Sequence, residues 1–230
     1  MFIKRLYKKV LKTTRRLKAW LPIYDINPAS RVFGLDRGTA IDRYYIEKFL
    51  FNNNLYIRGR VLEIAENTYS KKFGTDVDRF DILHFDNSNP QATIIGDLTS
   101  PGSLPENEYD CFICTQTLNV IYDFRQAIQT SYKLLSDKGI FLGTVPGISQ
   151  ISSYDMQRWG DYWRFTDLSI RRSFEEVFGK GNVETEVFGN YRTCSAYLDG
   201  ISLEELPCRL LGEKDYDYQL IIGIKAVKHV

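Results

Sequence analysis

Residues 59–98 read GRVLEIAENTYSKKFGTDVDRFDILHFDNSNPQATIIGDL. Three short apolar runs stand out: Arg60–Ile64 (RVLEI), Ile82–Phe85 (ILHF) and Ala92–Ile95 (ATII). Runs this short, separated by polar and helix-compatible stretches, are the pattern of βαβ units around a mostly parallel sheet. Working outward, the alternation continues through Cys111–Cys114 (CFIC), Ile140–Val145 (IFLGTV), Val183–Phe188 (VETEVF) and Gln219–Val227 (QLIIGIKAV), which makes seven strands. Between the fourth and fifth lies DFRQAIQTSYKLLSDKG, residues 123–139, read as a helix capped by Asp123 and ended by Gly139. A second helix is expected in 166–181, with Thr166 as cap and Gly179 as stop, and a third over Thr39–Asn53, covering one sheet edge ahead of the first strand.

The chain has 230 residues, the length of one ordinary domain, and a globular composition of 43% hydrophobic and 26% charged residues that excludes disorder and fibrous repeats. The formal charge of +1 argues against a nucleic-acid partner, yet it hides an asymmetry. Residues 1–24 carry eight basic side chains and no acidic one, which leaves 22 basic and 29 acidic in the rest. Ile3, Leu6, Tyr7, Val10, Leu17 and Leu21 recur near helical spacing, with Lys4, Lys8, Lys12, Arg15 and Lys18 largely off that face. The segment reads as a basic amphipathic helix that either lies on an anionic membrane surface or packs on the domain with its charges solvated. It has no signal-peptide cleavage site, and no stretch of about 18 apolar residues predicts a membrane span, so a cytoplasmic protein is expected, peripheral to the inner face of the membrane under the first of these two readings of residues 1–24. The resulting division is 1–24 for this helix, 25–58 for a leading helical segment and 59–230 for the catalytic domain.

Cys111 and Cys114 form a CxxC, but on a strand positions i and i+3 point to opposite faces, so the pair is read as structural thiols and no metal is expected. In an open α/β sheet, ligands bind beyond the carboxyl ends of the strands, so the residues just after each strand carry the chemistry. VLEIAENTYSKKFG, a carboxylate about 20 residues on, IIGDL, YDCFICTQTL and KGIFLGTVPG, in that order, resemble a class I S-adenosylmethionine-dependent methyltransferase over residues 59–228. The resemblance implies a Rossmann-like sheet of order 3-2-1-4-5-7-6 with strand seven antiparallel, and S-adenosyl-L-methionine as cofactor. It implies that Glu63 closes strand one and that the loop Ala65 to Tyr69 passes beneath the methionine part. Asp86 then accepts from the ribose hydroxyls, Asp97 and Leu98 sit at the adenine, and Thr115 and Gln116 flank the sulfonium. The family's glycine-rich loop is altered here to Ala65, Asn67 and Tyr69. Asn visits the left-handed region readily, so Asn67 is expected to preserve the turn, while the Tyr69 ring either narrows the pocket or stacks over the ligand.

The block DYWRFT, within residues 144–166, resembles a segment of bacterial methyltransferases of glycan and surface-polysaccharide assembly. The expected acceptor is a hydroxyl of a glycan, sugar nucleotide or glycolipid precursor, with Tyr154, Arg158, Trp159, Tyr162 and Arg164 as binding residues. Trp163 and Phe165 are read chiefly as core aromatics. A sugar hydroxyl is a poor nucleophile, so a base is sought in the order Asp155, Asp161, His84; a lone strand histidine such as His84 is also a common structural residue. Two other classes compete: a nicotinamide-binding Rossmann protein and a non-catalytic scaffold subunit of a glycan-assembly complex.

Overall fold

The computed structural model describes residues 26–100 and 102–229. The expected N-terminal amphipathic helix lies outside the described residues. Seven strands form one sheet: β1 (Arg58–Ile64), β2 (Asp76–His84), β3 (Ile94–Ile95), β4 (Tyr109–Thr115), β5 (Leu135–Pro146), β6 (Val183–Phe188) and β7 (Ile221–Val227). Their order is β3-β2-β1-β4-β5-β7-β6. The first five pair in parallel, and β7 inserts antiparallel between β5 and β6. Residues 189–220 intervene between β6 and β7 and contain a helix of their own.

Helices cover both faces. On one lie α3 (Phe124–Leu134) and α5 (Asp167–Phe178), which bury Ala127, Ile128, Leu134, Ile170, Phe174 and Phe178 against β4, β5 and β7. On the other lie α1 (Ile41–Asn52), the short α2 (Thr68–Phe73) and α6 (Tyr191–Leu198). A further short helix, α4 (Ser153–Arg158), follows β5. Strand β4 is buried on both sides, and its register puts Cys111 in one core and Cys114 in the other. Burial pushes the Cys114 thiol up to about 12 and the Cys111 thiol higher still, so both stay protonated.

Four sequence expectations change. Helix α1 lies across the sheet face, not along an edge: Ile41, Tyr45, Ile46, Phe49 and Leu50 reach Val61, Ile113, Leu142 and Ile221, each burial contributing about 1.5–3 kcal/mol. Residues 26–40 ahead of it form turns rather than helix. Helix α3 stops at Leu134, because Leu135 already pairs with Tyr109; residues 136–139 then bulge, with Lys138 at φ 63, before pairing resumes at Ile140, and Gly139 lies inside β5. Strand β2 starts at Asp76, ahead of the apolar run, where its polar half pairs with β1 and Asp81 accepts from Arg60 Nε at 2.9 Å. Helix α5 runs as expected, with Thr166 in a capping box and Gly179 at φ 87. No described helix is long and apolar enough to cross a membrane.

Candidate active site

The carboxyl ends of β1 to β4 open into a cleft of about 680 Å³. Ala65 follows β1, Leu83, His84 and Phe85 come from the end of β2, and Gly96, Asp97 and Leu98 follow β3. Thr115, Gln116 and Thr117 follow β4, and the far wall is built by Val120–Asp123 together with Asp155, Arg158, Trp159 and Tyr162.

The altered loop keeps a glycine-like turn at a different residue from the one expected. Ala65 has φ 66, whereas Asn67 has φ −115 and merely precedes α2. Ala65 N–H donates to Leu83 O at 2.9 Å, and Asn89 Nδ2 donates to Ala65 O at 2.6 Å, so hydrogen bonds on both sides hold the left-handed residue. Glu63 is not in the cleft. It is buried below the loop and accepts from Tyr69 N–H at 3.0 Å and Ser70 N–H at 2.8 Å, satisfying the free donors at the start of α2. Burial raises the Glu63 carboxyl above its ordinary value. Tyr69 does not line the large cleft; its ring is buried and stacks on Phe73 with centroids 6.3 Å apart.

Asp97 borders the cleft, its carboxylate accepting from Thr99 N–H at 2.7 Å and Thr99 Oγ1 at 2.8 Å. Leu98 beside it is buried. Asp86 stands outside the lining on an exposed turn, where hydrogen bonds from Ser88 hold its carboxyl below the usual range. His84 Nδ1 lies 2.9 Å from Asp86 O and 3.2 Å from Asp86 Oδ1, so that nitrogen is occupied locally. Gln116 has φ 49 and is pinned by its N–H to Thr144 O at 2.8 Å and its Nε2 to Thr144 Oγ1 at 3.2 Å.

Of the acceptor-side residues, Asp155, Arg158, Trp159 and Tyr162 line the cleft, whereas Tyr154, Asp161 and Arg164 do not. Asp155 is half-buried, and its carboxylate has no partner among the described residues. The Arg158 guanidinium sits 3.5 Å over the Tyr154 ring and donates to Tyr154 O at 3.1 Å. Asp161 is buried and accepts from Arg164 at 2.6 and 2.8 Å and from Ser152 N–H at 2.9 Å. Burial alone would raise its carboxyl, but the Arg164 and Ser152 bonds outweigh that and lower it. Both residues are thus spent on holding the loop, a correction to the base and substrate-contact expectations. Trp163 donates Nε1 to Ile121 O and Tyr122 O, both at 3.1 Å, and Phe165 is buried in the core.

A second cavity of about 250 Å³ adjoins the first and shares Thr115 and Gln116 with it. Its other walls are Phe33, Leu35, Ala40, Asp42, Arg43 and Ile46 on one side and Glu66 and Tyr69 on the other. Asp42 accepts from Tyr197 Oη at 2.9 Å and from Arg43 N–H at 2.8 Å, and burial raises its carboxyl. Glu66 belongs to the loop expected beneath the methionine part, whereas Asp42, Arg43 and the cleft-wall residue Tyr122 give no signal at the strand ends. Asp42 and Arg43 come from a helix upstream of the sheet, and Tyr122 follows a 3-10 turn (Leu118–Val120) that gives no periodic signal.

Among solved structures, a SAM-dependent methyltransferase from Archaeoglobus fulgidus is 14% identical, with 81% of this chain and 94% of that chain covered and a TM-score of 0.52. An S-adenosylmethionine-dependent methyltransferase from Mesorhizobium loti is 12% identical, with coverages of 82% and 98% and a TM-score of 0.52. The chain has the class I methyltransferase fold. The [4+2]-cyclase SpnF shares this methyltransferase fold at 15% identity, 95% and 93% coverage and a TM-score of 0.54, so the fold by itself does not fix the reaction. No family model matches the sequence, and no curated protein matches it.

Proposed function

We propose that this protein transfers a methyl group from S-adenosylmethionine to a hydroxyl of a glycan, sugar nucleotide or glycolipid precursor, working at an anionic membrane surface through residues 1–24. The observation that carries the cofactor half is Ala65: the loop lacks glycine yet keeps a left-handed turn, and the Tyr69 ring is turned into the core and leaves the large cleft open. A decayed site has no reason to sustain backbone that costs about 1–2 kcal/mol at a non-glycine residue.

In this reading the nucleoside occupies the large cleft, with Asp97 and Leu98 at the adenine and His84 toward the ribose, while Asp86, outside the lining, is reached only by ribose hydroxyls at the cleft's edge. Thr115 and Gln116, common to both cavities, face the sulfur. The amino-acid end enters the second cavity, where Arg43 suits its carboxylate and Asp42 and Glu66 suit its ammonium group. Bound cofactor supplies an electrophilic methyl carbon on a positive sulfur. The chain's own task is alignment, a contribution of up to about 7–11 kcal/mol, with Asp155 taking the acceptor proton for a further 10²- to 10⁴-fold or so. Trp159 and Tyr162 present rings for a sugar face beside Asp155.

The test is a thermal-shift and calorimetric comparison of S-adenosylhomocysteine with NAD. Stabilisation by the first alone is expected; a response to NAD alone, or to neither, overturns the reading in favour of a nicotinamide site or a scaffold subunit.

A further inference from the structure

Loop 150–164 carries Asp-x-x-Arg twice, as Asp155-Met156-Gln157-Arg158 and as Asp161-Tyr162-Trp163-Arg164. On a helix, opposite charges three residues apart are neighbours and can pair. The second pair closes even without a helix: Asp161 is buried and takes both Nη atoms of Arg164, at 2.6 and 2.8 Å. The first lies on α4, where pairing is easiest, and stays open. Arg158 Nη1 donates instead to Tyr154 O at 3.1 Å, and its guanidinium lies over the Tyr154 ring, one turn back along the helix. Neither Asp155 nor Arg158 has an ion-pair partner among the described residues, so Nε and Nη2 of Arg158 keep donors to spare.

Both side chains line the large cleft, and Arg158 is the one Lys or Arg among the residues that do. The other two cleft carboxylates are engaged close by, Asp97 with Thr99 and Asp123 with Gln126 N–H at 3.1 Å. An unpaired acid and an unpaired cation on one wall, their Cβ atoms about 5–6 Å apart, suit two different groups of one ligand. Asp155 meets a hydroxyl in the proposed reaction, and a guanidinium with free in-plane donors fits an oxyanion. The cofactor does not supply that oxyanion here. Its adenine and ribose are uncharged, and its carboxylate goes to Arg43 in the second cavity in the proposed reading. The oxyanion then belongs to the acceptor.

We infer that Arg158 binds an oxyanion of the acceptor, which restricts the substrates to sugars carrying a phosphate or a carboxylate roughly a ring's width from the hydroxyl that meets Asp155. Trp159 and Tyr162, on the same wall, give that ring a face to stack on. The inference rests on the methyl-transfer reading, because it takes Asp155 as the base and the second cavity as the place of the amino-acid end. Arg158 is exposed, so salt screens its contact, and the oxyanion is worth about tenfold in affinity at low ionic strength.

The experiment is calorimetry at low salt on the full chain, first titrated to saturation with S-adenosylhomocysteine. Neutral sugars, sugar 1-phosphates, UDP-sugars and uronic acids follow, each in the gluco and galacto series. Anionic members are expected to bind about tenfold tighter than the neutral sugar of the same series, and the phosphate and uronate arms show which oxyanion is preferred. Arg158→Gln is expected to abolish that preference and to bind S-adenosylhomocysteine as the parent does, which also reports that the variant is folded. Equal binding of neutral and anionic sugars, no binding of any sugar, or a preference that survives Arg158→Gln would each overturn the inference. So would weakened S-adenosylhomocysteine binding by a variant whose circular dichroism spectrum is unchanged, since the cation would then serve the cofactor. Failure of the parent chain to bind S-adenosylhomocysteine appears in the first titration and overturns the methyl-transfer reading itself, so the two failures are distinct.

Discussion

At the scale of single residues, two side chains decide what the altered loop and the loop 150–164 can do. Ala65 sits at φ 66, where a Cβ crowds the following carbonyl. Ala65→Gly removes that clash but gives the unfolded chain more freedom, so a net gain of at most about 1 kcal/mol in urea denaturation is expected, with S-adenosylhomocysteine affinity retained. Ala65→Val, β-branched in the same conformation, is expected to lose both stability and affinity; full affinity in that variant would remove the turn from the site. Asp161 gives the pH-dependent case. Its folded carboxyl is lowered against the ordinary value, so the stability it contributes is fully present above the unfolded pKa of about 3.9 and is lost as pH falls through the folded pKa. Asp161→Ala strands a largely buried Arg164 and is expected to cost about 3 kcal/mol at neutral pH, with the difference from the parent shrinking below about pH 4. An equal difference at pH 3 and pH 7 would show that the cost comes from something other than the ion pair. Why Asp161 looked like a base in the sequence is plain: both it and Asp155 are acids between aromatics, and only the fold reveals that one is paired with Arg164 while the other faces the cleft.

Among elements, the strands were legible because their signal is local, and the helix ends less so because their signal is not. The seven apolar runs and the Thr166 cap can be read within a few residues; each run overlaps one of the seven strands, and Thr166 caps its helix. The end of α3 was lost because Leu135 pairs with Tyr109, distant in sequence, before Gly139 can act as a stop. The position of α1 was lost for the same reason: its stripe shows that it is buried but not which strands it covers. The fit of α1 on the sheet is tight at one point. Gly223 of β7 faces the fully buried Phe49 ring, and a Cβ on it would collide with that ring. Gly223→Ala is expected to cost about 1–3 kcal/mol, as overpacking does, and Phe49→Leu in the same chain is expected to recover part of it. A double-mutant cycle by denaturant titration measures the coupling; simple additivity would mean that the helix shifts freely on the sheet.

The whole molecule divides its site between two parts of the chain, which is why only half of it was legible. The large cleft is made from strand ends, and His84, Ala65, Asp97, Thr115 and Gln116 reach it for that reason alone. The second cavity exists only because α1, upstream of every strand, is laid over the carboxyl ends of β1 and β4 and fixed there by Tyr197 of α6, far along the chain from Asp42. If the two cavities hold the two ends of one cofactor, they can be separated chemically, because 5′-methylthioadenosine has the nucleoside and the sulfur but no amino-acid end. Arg43 has no ion-pair partner among the described residues, so its guanidinium is available to a carboxylate. A charge-assisted hydrogen bond is worth about 1.5–3 kcal/mol, and at this exposed position the lower end applies, or about tenfold in affinity. Arg43→Ala is therefore expected to weaken S-adenosylhomocysteine about tenfold and to leave 5′-methylthioadenosine unchanged, whereas Asp97→Ala weakens both alike. Calorimetry with the two ligands on the two variants reads the division directly. Equal losses for both ligands in Arg43→Ala would make its effect structural, and no loss for either would return the amino-acid end to the large cleft.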